Sequence, residues 1–191
     1  MTPFKLHGRL RGLPLAALIV AGGWLAPAAH ADELEAQAGW RRVDSRHCTV
    51  WLDPQVTAEE LAHQLKSRTT GALAALPKIA TVDEKLAARC DAIFERAQEL
   101  LDMRPRDLHV TVRVARTPEQ IQNVHAERYG FRAKNIAFYI SENNTIYATT
   151  GQLTPPVLAH EMAHCIIEHY FETRPPRKIE ELLAQYVDSR F

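Results

Sequence analysis

His160, Glu161 and His164 stand together in the stretch VLAHEMAHCIIEHYF, residues 157–171, with the two histidines four apart. On a helix that spacing brings both imidazoles to one face, about one turn apart. Two imidazoles so placed are half of a zinc site. The glutamate between them is a residue type that can take a proton from water. A His-Glu-x-x-His run therefore points to metal-assisted hydrolysis, provided the rest of the chain supplies what is missing.

What is missing is a third donor, because a catalytic zinc usually has three protein ligands and one open position. Glu168 continues the same helical column, but it lies two turns from His160, roughly 12 Å by helical rise, and one ion cannot span that. The longer pattern HExxHxxGxxH needs glycine and histidine where Ile167 and Tyr170 stand. The segment after ETRPPRK offers Glu180 and Glu181. An antiparallel helix there would return either carboxylate to His164.

These residues need elements to hold them. Thr154 and Pro155 open the His-Glu-x-x-His helix, which runs to about Phe171. Its remaining positions include Val157, Leu158, Met162, Ala163, Cys165, Ile166 and Ile167, so it is buried on most sides. The prolines of RPPR break it, and IEELLAQYVDSRF forms a last helix. Upstream, HCTVWLD (47–53) and LHVTVRVA (108–115) alternate as strands. TAEELAHQLKSRTTGAL (57–73) and VDEKLAARCDAIFERAQELLDM (82–103) read as helices, the second with an apolar stripe of Leu86, Cys90, Ile93, Phe94, Ala97 and Leu101. TPEQIQNVHAERYG (117–130) is a short helix with proline in its first turn and a glycine stop. NIAFYI and TIYATT flank SENN as a hairpin, since Asn143 and Asn144 tolerate positive φ.

The run KIEELLAQYVD resembles the SEGLAEYV-type ligand helix of gluzincin metallopeptidases, the thermolysin-like clan. The resemblance covers about residues 136–188, hairpin included. It implies an α+β, zincin-like domain with a short twisted sheet, an active-site helix and a C-terminal ligand helix. Laid on that pattern, Glu181 is the third ligand, Ala184 the small residue, and Tyr186 and Val187 packing residues. It implies one Zn²⁺ per chain on His160, His164 and Glu181, and peptide hydrolysis with Glu161 as general base. The chain departs from the pattern at Leu182, where glycine is usual, and at Gln185, where an acidic residue often holds a ligand histidine. An amide oxygen can still accept that bond, so Gln185 is expected behind the ligands. A peptide would lie along TIYATT by β-augmentation. Tyr147, Tyr139 and His125 are the candidate donors to the transition state.

The bulk of the sequence sets the setting. The 191 residues suggest one domain, and 23 basic against 23 acidic side chains give no reason to expect a nucleic acid partner. Lys5, Arg9 and Arg11 precede the uncharged run GLPLAALIVAGGWLAPAA, with Ala29 and Ala31 as small residues before Asp32. That is a signal-peptide layout over residues 1–31, leaving residues 32–191 as the domain, exported to a periplasmic or extracellular space without stable membrane association. Export makes a disulfide permissible. Of the three cysteines, Cys48 and Cys90 fall on elements expected to pack together and are the expected pair, with Cys165 a buried small side chain. The other function class is a catalytically silent, zinc-stabilised module that binds peptide or envelope components. An intact His-Glu-x-x-His favours the enzyme, because a silent module has no need of Glu161.

Overall fold

The computed structural model describes residues 39–67, 80–132 and 137–191. The expected signal peptide and the start of NIAFYI lie outside these residues; the helix expected over 57–73 ends at Gln64, with Leu65 as its C-cap, and only positions 68–73 of that expectation lie outside. The described elements, in chain order, are β1 (Arg41–Asp44), β2 (Cys48–Leu52), α1 (Ala58–Gln64), α2 (Val82–Leu101), β3 (Val110–Ala115), α3 (Pro118–Tyr129), β4 (Ala137–Ile140), β5 (Thr145–Thr149), α4 (Pro155–Tyr170) and α5 (Arg177–Asp188). The fold class is α+β.

Alternation builds the sheet. Val110, Val112 and Val114 are fully buried on one face of β3, and Ile146 and Ala148 on the same face of β5. The five strands run in the order β1-β2-β3-β5-β4. β2, β3 and β5 are parallel, and the outer strands β1 and β4 are antiparallel to their neighbours. β1 was not legible in advance, because Val43 is its single buried residue.

One face of the sheet carries the main core. There α2 and α4 pack side by side, and Leu86, Ile93 and Phe94 of the first share one buried core with Leu158, Met162 and Ile166 of the second. Thr81 and Glu84 form a reciprocal cap at the start of α2, and Asp102 ends it in the left-handed region at φ 53°. The other face carries α3, whose Ile121 packs with Ala115, Phe138, Ile140 and Tyr147.

The β4–β5 connection is a 3₁₀ turn over Ser141–Asn143 that closes at Asn144, φ 50°. Asn144, not Asn143, takes the left-handed conformation. Its side chain then knits three elements together. It donates to the His109 carbonyl at 2.6 Å and accepts from the Tyr139 hydroxyl at 2.9 Å and the Cys165 thiol at 3.2 Å.

Two expectations are corrected. First, Cys48 and Cys90 are not joined; all three cysteines are buried free thiols. Their elements do pack together, but a bridge also needs a narrow Cα and Cβ geometry that neighbouring burial does not guarantee. Burial pushes the Cys90 thiol up to about 12 and the Cys48 thiol well above its usual range, with Cys90 and Asp91 adding to the shift at Cys48. Both therefore stay protonated, and the thiolate is the form that exchanges. Second, β5 is not an edge. Its two sides are taken by β3 and β4, so TIYATT has no free ladder for a peptide. Among the described residues, the sheet edge beside the site belongs to β4.

Candidate metal centre

The centre is built where α4 and α5 pack as an antiparallel helical hairpin. Ala159 and Ala163 on α4 and Ala184 on α5 are fully buried, and their small size lets the helices approach closely. The turn between them is pinned by Arg174, which donates to both oxygens of Glu180 at 2.7 and 3.2 Å. Glu180 is only 3% exposed. That fork–fork pair commits Glu180 to the hairpin and turns it away from the histidines. Arg174 also lies 3.7 Å from Glu168, which is accordingly no donor to the centre.

Glu181, one residue on, faces the histidines. His160 Nε2 and His164 Nε2 are 3.2 Å apart, and the two carboxylate oxygens of Glu181 lie 3.6 Å from the first and 3.7 Å from the second. Among the described residues, these three form the single group of this kind whose donors converge. Zinc–nitrogen and zinc–oxygen bonds of about 2.0–2.2 Å in a tetrahedron put ligand atoms about 3.3–3.5 Å apart. The 3.2 Å between the imidazole nitrogens is close to that range, the carboxylate turns a different oxygen to each imidazole, and with one atom taken from each residue all three donors lie within 4.8 Å of one another. A small rotation of the Glu181 carboxylate would bring one oxygen to the third corner of a tetrahedron and leave the fourth position over.

The histidines are prepared for this role. His160 Nδ1 donates to Asp188 Oδ2 at 2.9 Å, which fixes its tautomer and leaves the Nε2 lone pair facing His164 and Glu181. Burial, helped by the nearby His160, holds His164 below the usual imidazole range against the pull of Glu181 and Glu180. A neutral imidazole is the form that binds a metal.

Gln185 was expected to hold a ligand histidine. It does not; its amide donates to Glu181 Oε1 at 3.2 Å. The carboxylate behind His160 is Asp188, which sequence reasoning missed. Its signal was present, since Asp188 lies seven residues beyond Glu181, two turns along the same helical face. A search one turn beyond the ligand stops short of it.

Glu161 sits beside the donors and is 8% exposed. Burial raises its carboxyl to about 7; the charge on His160 and a backbone hydrogen bond from Tyr139 pull it down, and Glu181 pushes it up. A carboxyl poised near neutrality, next to a converging donor set, has the character of a general base.

A cleft of about 780 Å³ opens over the centre. His160, Glu161, His164 and Glu181 line it, β4 and the end of α3 contribute another wall, and Arg174 and Arg177 a further one. Of the three candidate donors, Tyr147 is not among its lining residues. Period-two alternation turns Tyr147 to the opposite sheet face, where it stacks on Phe138 and its hydroxyl accepts from Asn143 at 2.9 Å. Tyr139 borders the cleft, but its hydroxyl is given to Asn144 and burial drives its pKa far up. His125 borders the cleft as well, with Nδ1 donating to the Phe131 carbonyl at 2.7 Å.

No protein-family model matches the chain, and no curated protein or solved structure matches it significantly.

Proposed function

We propose that the chain is a zinc-dependent peptidase of gluzincin type, exported on the leader read in residues 1–31, with His160, His164 and Glu181 as ligands and Glu161 as general base. The observation that carries this is the convergence of three donors from α4 and α5 beside a buried glutamate. A bound zinc would supply Lewis acidity, activating water and polarising a carbonyl. The remaining work falls to the chain. Asp188 and Gln185 orient His160 and Glu181. Glu161 takes a proton from the attacking water and passes it to the leaving amine. Among the described residues the outer side of β4 pairs with no other strand, and apart from the Tyr139 N–H, which is given to Glu161, its main chain offers hydrogen bonds to a peptide lying extended across the cleft. None of the three candidate donors is free by this geometry: the hydroxyls of Tyr139 and Tyr147 have protein partners, and the His125 Nδ1 proton is given to the Phe131 carbonyl.

The same features speak against a silent module. Folding alone gives little reason to bury a carboxyl beside the donors with one backbone hydrogen bond, from Tyr139, since burying such a group costs stability unless it is fully compensated. A peptide-library digest tests the proposal. Cleavage that stops with a zinc chelator and returns with added zinc is expected. No cleavage, or cleavage indifferent to the chelator, would overturn it.

A further inference from the structure

The wall contributed by α3 and β4 is aromatic. The His125 imidazole is ringed by Tyr129, Phe131 and Phe138, at centroid distances of 4.7, 4.9 and 5.1 Å. All four side chains border the cleft that holds His160, Glu161 and His164. Phe131 is 64% exposed and Tyr129 43% exposed. A single exposed ring needs no explanation, but two of them clustered at the mouth of a cleft mark a place where apolar surface is to be covered.

The wall is also held firmly from behind. Cross-strand pairing puts Arg42, Trp51, Arg113, Tyr147 and Phe138 in one row across all five strands. Within that row, Phe138 stacks on Tyr147 at 5.5 Å and the Arg113 guanidinium lies over Tyr147 at 5.6 Å; Trp40, just before β1, covers the same guanidinium at 5.0 Å. Alternating cations and rings attract one another through the ring quadrupole. The His125–Phe131 hydrogen bond then fixes the imidazole against Phe138. A preformed apolar wall loses little entropy when a ligand covers it.

We propose that His125, Tyr129, Phe131 and Phe138 form a specificity subsite for an aromatic side chain of a peptide bound along β4. The inference rests on the peptidase reading for the identity of the ligand as a peptide. Phe138 itself lies on β4, so a strand added to that edge carries its own side chains past this wall. The tilted and edge-on contacts that His125 makes with the three rings, at 51°, 67° and 84°, hold the wall together, and the outward faces of Tyr129 and Phe131 are left to meet a further ring.

The test is binding, kept separate from turnover. The Glu161→Gln chain is titrated by NMR with two short capped peptides that differ only in a central Phe or Ala, with and without EDTA. The Phe peptide should bind about tenfold more tightly under both conditions. Phe131→Ser should reduce that ratio to about twofold or less, and Tyr129→Ala should reduce it in the same direction. Both replaced rings are substantially exposed, so the fold is expected to survive. Tyr170→Ser, an exposed aromatic away from the cleft, should leave the ratio intact. Equal affinity for the two peptides, no binding of the Phe peptide, or a ratio unchanged by both wall substitutions would overturn the subsite. Aromatic preference in a chain that hydrolyses nothing would sink the peptidase reading and leave the subsite standing. Hydrolysis without that preference would do the reverse.

Discussion

Glu161→Gln is expected to keep the fold and the zinc while losing peptide hydrolysis by roughly 10²–10⁴-fold. The three donors lie together without Glu161, so its replacement leaves the ligand set intact. Glutamine is nearly isosteric and keeps an oxygen to accept the backbone bond from Tyr139. It cannot accept the proton. Glu161 is largely buried, so the neutral amide carries a smaller desolvation cost than a carboxylate there, and the fold is expected to survive the substitution. Circular dichroism, metal content and rate on one cleaved peptide, measured on both proteins, check this. Equal rates would show that the observed cleavage belongs to another site or another protein.

The second large effect is on metal affinity, and it separates adjacent residues. Glu181→Gln removes an anionic donor from a three-donor set, and zinc affinity should fall by at least about 100-fold. Asp188→Asn leaves all donors in place but weakens the anchor of His160, and should cost roughly 10–100-fold. Glu180→Gln should leave affinity near that of the parent chain. Its effect falls on stability, by about 1–2 kcal/mol, through the lost charge on the Arg174 bond; Arg174 is itself half exposed and finds water in its place. Competition with a zinc chelator gives the affinities, and thermal melts give the stability. If Glu180→Gln loses zinc and Glu181→Gln does not, the assignment is off by one residue.

Local features of the sequence carried most of this arrangement. Four-residue spacing placed His160 and His164 on one face, and the flanking pattern chose Glu181 over Glu180 before the Arg174 pair gave that choice its physical reason. The apolar stripe of α2 also followed from periodicity alone. What was not legible depended on spatial order. Chain order makes β4 and β5 a hairpin, but it does not say that β5 enters the interior beside β3 and leaves β4 at the edge. Tyr147 was misjudged for want of a face assignment: with Ile146 and Ala148 inward, it must point outward. Asp188 was missed because two helical turns look remote in sequence and are adjacent across a helix face. The cysteines show the limit of inference from neighbouring elements, since packing together does not supply the geometry of a bond.

The central claim is a zinc ion on two imidazoles and a carboxylate, and zinc K-edge X-ray absorption on the purified chain addresses it most directly. The account predicts one zinc per chain, with only nitrogen and oxygen neighbours at about 2.0–2.2 Å and the multiple-scattering signature of two imidazoles. Absence of zinc, or a sulfur neighbour at about 2.3 Å, would contradict it, the latter by moving the metal to a cysteine.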